Sequence, residues 1–235
     1  MFPKQDDHSV SGEGKVMAPG IFMWVLLLCM STVLVLLTAS DARSLRRRIL
    51  RFSGLVFPMA VHPLFGICVY RISLLIPAAV LLALEAVGKK KPEKSLIGTL
   101  ISPIAKEGER EHFSGISAWF AGVFIASLAP GGIGPAAAAM GTVADPWASM
   151  AGTLMGGRKT KRGKTFSGSA ACFLSAFWAG TAFSLLFPGW GGTLIHVSAG
   201  ALSIAASEHY TPGTYDNITV FIAGAAAMTL SAALT

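Results

Sequence analysis

The sequence predicts an all-α fold: a multi-span integral membrane helical bundle with about eight transmembrane helices. Hydrophobic residues make up 53% of the 235 residues and charged residues only 13%, about half the share of roughly 25% that is usual in soluble domains. The apolar residues lie in long blocks, and a helix needs about 20 such residues to cross the hydrocarbon. A soluble chain of this length would need far more charge on its surface, so soluble classes are excluded.

The chain divides into a polar N-terminal tail, residues 1–20, and a single transmembrane domain, residues 21–235. The first apolar block has no small-residue cleavage site after a basic start, so it is interpreted as a membrane anchor and not as a signal peptide. The eight predicted spans are residues 17–39, 52–69, 72–87, 113–129, 132–155, 167–187, 191–207 and 218–234. Tyr70 and Arg71 alone separate the second span from the third.

Basic residues alternate with these spans. Sixteen of the nineteen Lys and Arg residues lie in the loops that follow spans one, three and five. Cytoplasmic loops carry an excess of Lys and Arg, so these three loops are expected on the cytoplasmic side and both termini on the opposite side. The net charge of +7 therefore reflects membrane topology, and no nucleic-acid partner is expected. The expected location is the cell membrane of a prokaryote, or the endoplasmic reticulum or another organelle membrane of a eukaryote.

The cysteines Cys29, Cys68 and Cys172 all fall inside apolar blocks without CxxC or Cys/His spacing. This pattern indicates neither a disulfide framework nor a zinc site. Frequent Gly and Ala residues suit close helix packing in lipid, and the composition is compatible with a homo-oligomer. His62 and His196 stand in apolar surroundings and are interpreted as packing or helix-end residues.

Asp145 is the clearest candidate for function, because a charge inside a bilayer costs about 2.5–3.5 kcal/mol on insertion scales. On a helix, Ala148, Gly152 and Gly156 follow it on the same face and form a smooth strip toward the next basic loop. Such a strip is compatible with a channel for a metal-bound polyphosphate. The alternative is helix packing, with Asp145 at a helix end and Pro146 in the first turn.

The basic loop after span five reads GGRKTKRGKT over residues 156–165 and nearly matches a phosphate-binding P-loop. Five residues separate Gly157 from Gly163 where the motif has four, and membrane spans flank the loop where the motif needs a strand and a soluble helix. A P-loop is therefore rejected. Glycines beside Lys and Arg still suit nucleotide phosphates, and a simple topology anchor is the alternative.

Further acids stand next to this loop in the predicted topology. Glu208 ends span seven, and Asp216 and Asn217 begin span eight, where Asp216 is also a reasonable helix N-cap. The loop after span three adds Glu107, Glu109 and Glu111. Carboxylates and cations on one face are what a magnesium–nucleotide site requires.

Together these segments resemble the signature of CTP-dependent lipid-alcohol kinases, which include dolichol kinase, phytol kinase and the yeast-type diacylglycerol kinase. A distant link runs to phosphatidate cytidylyltransferase. The similarity rests on Asp145 to Ala148, Gly152, Gly156 to Arg158 and Lys164 to Ser169, with weaker support from Arg47-Arg48, Glu208 and Asp216-Asn217; it covers about residues 44–235. It implies a transmembrane domain similar to CTP transferases, with its active face cytoplasmic.

The resemblance implies transfer of a phosphoryl group from a nucleoside triphosphate, with CTP as the expected donor, to the hydroxyl of a membrane lipid such as a polyprenol, phytol or diacylglycerol. Magnesium is the implied cofactor. The implied catalytic residues are Asp145, Lys164 and Asp216, and the implied metal ligands are Asp145, Asp216 and Glu208. The implied nucleotide-binding residues are Arg48, Gly152, Gly156, Arg158, Lys159, Thr165, Gly168 and Asn217.

Three positions depart from the family pattern. Ser167 stands where the family has a glutamate, Tyr215 where it has the first acid of an Asp-Asp-Asn element, and Arg51 where it has a histidine. Two alternatives stay open: a phosphatidate cytidylyltransferase that makes CDP-diacylglycerol, and a membrane transporter without enzymatic activity. The transporter interpretation has to explain why the polar residues lie on one side of the membrane, because transport sites lie near the midplane.

Overall fold

The computed structural model describes residues 10–38, 42–90, 114–160, 163–190, 192–211 and 215–235. Within these residues the chain forms α-helices and no extended strand, which confirms the all-α class. The helices are α1 (Val10–Thr38), α2 (Ala42–Ser53), α3 (His62–Lys90), α4 (Gly115–Ala126), α5 (Ile133–Met155), α6 (Phe166–Leu186), α7 (Leu194–Tyr210) and α8 (Asp216–Leu234). A π-helical turn, Phe57–Val61, precedes α3, and a 3-10 turn, Pro188–Trp190, follows α6.

Length and apolar composition identify membrane-spanning segments in part of this bundle. Four helical segments among the described residues are long and apolar enough to cross a membrane, at residues 19–36, 48–87, 166–186 and 216–234. The chain is therefore of the α-helical membrane class. The helix α4, with 12 residues, is apolar but short, so the predicted number of eight spans stays a prediction.

The predicted boundary between spans two and three is wrong. The helix α3 runs through Tyr70 and Arg71, and the non-helical residue lies earlier, at Gly66 with φ 79° and ψ 174°. The sequence suggested a turn because Arg71 is charged. In the structure the Arg71 guanidinium donates from Nε to the carbonyl of Ser127 at 2.9 Å. Because the Ser127 carbonyl accepts from the guanidinium inside the bundle, α3 can continue through Arg71.

The first helix begins within the predicted polar tail. The helix α1 begins at Val10, so residues 10–20 are helical, and residues 1–9 lie outside the described part of the chain. Gly20 packs against Leu185 and Leu186 near the end of α6; an added Cβ would lie 3.0 Å from both side chains. The first helix is therefore fixed to the bundle within the predicted tail.

The helix α5 forms the centre of the bundle. Ala136, Ala137, Ala138 and Ala139 are all fully buried, so neighbours surround this helix on every side. Small side chains permit that close approach. For example, a Cβ on Gly141 would lie 2.6 Å from the ring of Phe221 in α8.

Contacts between helices fix their relative directions. Gly180 packs on Met140 and Val197, while Gly200 packs on Met228; together with the contacts near Lys164, these make α5, α6, α7 and α8 successively antiparallel. Lys164 and Asp216 therefore lie at one end of the bundle, here called the polar end. The opposite end holds the contact between His196 Nε2 and Thr235 Oγ1 at 3.1 Å.

Candidate functional site

Five charged side chains converge at the polar end of the bundle. This charged cluster consists of Arg51, Asp145, Lys164, Glu208 and Asp216. They come from the end of α2, the middle of α5, the loop before α6, the end of α7 and the start of α8. The cluster includes all three of the predicted catalytic residues and the predicted metal ligand Glu208.

Lys164 joins two of the acids. Its Nζ lies 2.5 Å from Glu208 Oε1 and 3.0 Å from Asp216 Oδ2. Burial by itself would lower the pKa of Lys164, but the carboxylates of Asp216 and Glu208 outweigh it and raise the pKa above the ordinary value. Lys164 therefore carries its positive charge at neutral pH.

Asp145 pairs with a residue that the motif did not assign. Arg51 Nη1 lies 2.5 Å from Asp145 Oδ2, and the two side chains are 26% and 16% exposed. Asp216 also interacts electrostatically with both Asp145 and Arg51. In the cluster, each acid therefore lies beside a base. Its three carboxylates and two cations leave a net negative charge.

The helix-end interpretation of Asp145 is wrong, since α5 continues through Asp145 and Pro146 to Met155. Likewise, Asp216 is the first residue of α8 but gives no side-chain cap; its carboxylate accepts from Lys164. The interpretation of His196 as a helix-end residue is confirmed. Its Nδ1 accepts from the backbone N–H of Thr193 at 3.1 Å at the start of α7.

The glycine-rich loop positions Lys164. Gly156, Gly157 and Gly163 have φ of 62°, 110° and 77°, a region that glycine adopts at little cost. The backbone N–H of Thr160 donates to the Lys164 carbonyl at 2.8 Å, and that of Gly163 donates to the Thr160 carbonyl at 2.9 Å. These bonds fold the described part of the loop back on itself and direct Lys164 into the cluster.

Thr165 and Ser167 connect the loop to α6. The Thr165 hydroxyl caps the helix by accepting from the Gly168 N–H at 3.1 Å. Ser167 Oγ donates to the Gly156 carbonyl at 2.9 Å. Ser167 thus joins the end of α5 to the start of α6, where the family pattern would place a carboxylate.

The predicted strip of small residues lies in a helix contact. A Cβ on Gly152 would be 2.8 Å from Thr165 Oγ1, and one on Gly168 would be 2.8 Å from the Ala148 carbonyl. The first turn of α6 therefore fills the face that leads from Asp145 toward Gly156. The packing alternative explains these small residues, and the strip forms no open channel there.

The other predicted nucleotide-binding residues lie outside the cluster. Arg48 Nη1 donates to Thr38 Oγ1 at the end of α1, and Asn217 is buried at the start of α8. Arg158 and Lys159 are exposed, and neither side chain has a hydrogen bond or ion pair within the described residues. The acids 107, 109 and 111 lie outside the described part of the chain.

The predicted set of three magnesium ligands is not assembled. Among the described residues no group of three or more His, Cys, Asp or Glu side chains is arranged to hold a metal ion. Glu208 is 6% exposed and bound to Lys164, which makes it a partner of that lysine. Asp145 and Asp216 still suit magnesium, because this ion commonly uses one or two carboxylates together with substrate phosphates and the cluster has excess negative charge.

Two candidate functional residues were not identified from the sequence. Arg51 was noted only as a departure from a motif, although the burial of Asp145 implied a counter-ion on another helix. Glu85 is 7% exposed within α3; its Oε1 accepts from Ser117 Oγ at 2.8 Å, and its carboxylate also accepts from the Ser114 N–H at 3.2 Å. The same burial argument, applied to every acid inside an apolar block, would have indicated Glu85 and the presence of a cation beside Asp145, but not which arginine supplies it.

The fold and the charged cluster define the class: an α-helical membrane protein with an ion-paired polar site at one end of its bundle. Comparison with known protein families, with characterised proteins and with solved structures finds no match to this chain. The resemblance to lipid-alcohol kinases therefore stays a prediction.

Proposed function

We propose that this chain is a membrane lipid kinase. It transfers the terminal phosphoryl group of a nucleoside triphosphate to the hydroxyl of a membrane lipid, and CTP is the expected donor. The observation that carries this proposal is the charged cluster, which gathers Asp145, Lys164 and Asp216 at one end of an apolar bundle. Phosphoryl transfer depends mainly on positioning and on charge neutralisation. The cluster contributes the cations Arg51 and Lys164, and its carboxylates would hold the magnesium ion that neutralises further phosphate charge.

In this reaction the bond between the γ-phosphorus and the bridging oxygen breaks, and a bond forms between that phosphorus and the lipid oxygen. The lipid hydroxyl loses its proton to a carboxylate of the cluster, and the nucleoside diphosphate leaves. In the proposed reaction the ammonium of Lys164, which Glu208 and Asp216 hold, neutralises charge on the transferred group. The acyl or prenyl chain stays in the hydrocarbon beside the bundle.

Asp145 and Asp216 are the residues proposed to hold magnesium. When bound, the ion would neutralise phosphate charge. For the nucleotide, the exposed Arg158 and Lys159 are suited to the first encounter, because their side chains have no partner among the described residues. They precede Lys164 by six and five residues in the same loop. The guanidinium of Arg51 provides a further cation beside Asp145.

The test is transfer of label by purified protein in lipid nanodiscs. With CTP labelled in the γ-phosphate and a panel of polyprenol, phytol and diacylglycerol, we expect labelled lipid phosphate together with CDP. Lys164→Ala should lower turnover and raise the nucleotide concentration needed, because a charge-assisted phosphate contact is removed. Lys89→Ala, at the end of α3, is the control and should have little effect.

Three other outcomes would contradict the proposal. Release of pyrophosphate with transfer of the nucleotide to the lipid would identify a cytidylyltransferase. If no lipid is labelled and no nucleotide is consumed, the kinase proposal is wrong. Equal losses for Lys164→Ala and Lys89→Ala would show a general effect of charge and not a phosphate contact.

A further inference from the structure

The helix α2 lies at the polar end of the bundle, where the chain passes from one apolar segment to the next. It follows the apolar segment within α1, and the next apolar segment, residues 48–87, begins within α2 itself. Arg48 Nη1 donates to Thr38 Oγ1 at the end of α1, and Arg51 pairs with Asp145 in the charged cluster. These two contacts hold α2 against the bundle at the point where the chain leaves the hydrocarbon and returns to it.

The charge of α2 is strongly unbalanced. Five of its 12 residues are arginine, and none is Asp or Glu. Membrane topology requires only an excess of Lys and Arg somewhere in a cytoplasmic loop. Clusters of about four to eight cations on an amphipathic helix beside a membrane span are typical of binding to anionic lipid headgroups. The placement of the cations on the helix therefore decides between these two interpretations.

One face of α2 is turned away from the bundle. Arg46, Ile49 and Leu50 share this outward face because they are three and four residues apart. All three are exposed, Ile49 and Leu50 at 56% and 41%, and Arg46 has no ion pair or hydrogen bond within the described residues. A cation one turn from exposed apolar side chains is the arrangement of a helix in the membrane interface, where the apolar groups contact acyl chains and the cation contacts headgroups.

We propose that α2 is an interfacial helix whose outward face binds anionic phospholipid in the leaflet at the polar end. The guanidinium of Arg46 is suited to a lipid phosphate, to which it can donate two hydrogen bonds. The exposed Ile49 and Leu50 favour an occupant with acyl chains over a free phosphate or nucleotide, which would gain nothing from apolar contact. The lipid is a bound component and not a reactant, so this surface does not depend on the proposed kinase activity.

A bound lipid should also stabilise the fold. A ligand that binds only the folded protein raises its stability, and Arg51 on the inner face of α2 supplies the counter-ion of Asp145. Lipid that holds α2 in the interface therefore also holds this ion pair. The protein should melt at a higher temperature in nanodiscs that contain phosphatidylglycerol than in phosphatidylcholine alone, and the gain should be smaller in Arg46→Gln.

The test is photolabelling of the full chain in phosphatidylcholine nanodiscs. They contain a small fraction of phosphatidylglycerol or phosphatidylcholine that carries the same diazirine acyl chain, and labelled peptides are identified by mass spectrometry. We expect at least about fivefold more label in α2 from phosphatidylglycerol, and Arg46→Gln should reduce that label about fivefold. Arg46→Lys is the matched control; it keeps the charge and should keep most of the label.

Salt and nucleotide separate the possible sources of binding. Raising NaCl from about 0.1 M to about 1 M shortens the screening length from about 10 Å to about 3 Å, and it should remove most of the preference for phosphatidylglycerol. Free CTP should not displace the lipid; displacement would identify a nucleotide surface and overturn the proposal. Equal labelling by the two lipids, equal labelling of the parent protein and Arg46→Gln, or equal losses for Arg46→Gln and Arg46→Lys would also overturn it. So would a gain in melting temperature as large for Arg46→Gln as for the parent protein.

Discussion

At the residue scale, partners from distant parts of the chain hold the charged side chains inside the bundle. Asp145 is bonded to Arg51, and Lys164 is bonded to Glu208 and Asp216. Removing one member of such a pair leaves a charge without compensation in a poorly solvated place, whereas removing both members costs much less. The cluster therefore contributes to folding as well as to the proposed chemistry, and experiments have to separate the two.

Asp145→Asn should lower phosphoryl transfer by at least several hundred-fold, on the order of 4 kcal/mol in the barrier, because it removes the charge proposed to face magnesium. The variant should still insert and purify, since Asn costs less than Asp in hydrocarbon. Initial rates at saturating nucleotide, with a thermal melt of the same preparation, measure both effects.

The double variant Arg51→Gln, Asp145→Asn supplies the control. It should melt closer to the parent protein than Arg51→Gln does, because no acid is left unpaired, but it should stay as inactive as Asp145→Asn. A folded Asp145→Asn protein that keeps most of its magnesium-dependent activity would contradict the proposed role of Asp145.

At the element scale, small residues set the distance between α5 and α6. Gly168 touches the backbone of Ala148, and Gly152 touches the hydroxyl that caps α6. These contacts place the loop at residues 156–165 beside the cluster, so helix spacing determines where Lys164 lies. A larger side chain at this contact should shift the loop as well as loosen the packing.

Gly168→Ala should lower the thermal stability of the protein, with a cost of about 1–3 kcal/mol for overpacking. The added Cβ would lie 2.8 Å from the Ala148 carbonyl oxygen, a backbone atom that cannot move alone. Gly189→Ala is the matched control, because nothing lies within 4 Å of its added Cβ. If the two variants melt at the same temperature, the packing role of Gly168 is wrong.

Local sequence patterns predicted the long elements well and their partners poorly. The expected span at residues 132–155 corresponds to α5 at Ile133–Met155, and that at 167–187 corresponds to α6 at Phe166–Leu186, because apolar blocks bounded by glycine are local signals. The break beside Arg71 was misplaced, since only a tertiary contact with Ser127 makes that charge tolerable within a helix.

For the candidate site, too, the sequence indicated the residues but not their ion-pair partners. The motif indicated Asp145, Lys164 and Asp216, and the structure places all three in the charged cluster. Arg51 could not be chosen among the neighbouring arginines, because its pairing depends on how α2 lies against α5. The pairing of Lys164 with Glu208 joins residues 44 positions apart, a distance that no local pattern reports.

At the scale of the whole molecule, the bundle has two chemically different ends. The charged cluster and the loop at residues 156–165 lie at the polar end. The Pro188–Trp190 turn and the His196–Thr235 contact lie at the other end. Gly20 in α1 and Thr235 also lie at this second end. The placement of both termini on one side of the membrane and the cytoplasmic orientation of the polar end stay predictions.

Cysteine labelling tests this arrangement. In a background with Cys29, Cys68 and Cys172 replaced by serine, Thr160→Cys should react with an impermeant maleimide only from the cytoplasmic side. Gly189→Cys should react only from the opposite side, because the two positions lie at opposite ends of the bundle and Lys and Arg favour the cytoplasm. Reaction of both from the same side would contradict the proposed topology.

The burial of α5 has a consequence for how the protein is made. This central helix is not among the four segments that length and apolar composition mark as able to cross a membrane, and its alanines at 136 to 139 are covered by neighbouring helices. A helix of this kind gains little from contact with lipid on its own. During synthesis it should therefore stay with the insertion machinery until α6 and α8 emerge, and a ribosome stalled soon after Met155 would leave α5 extractable from the membrane.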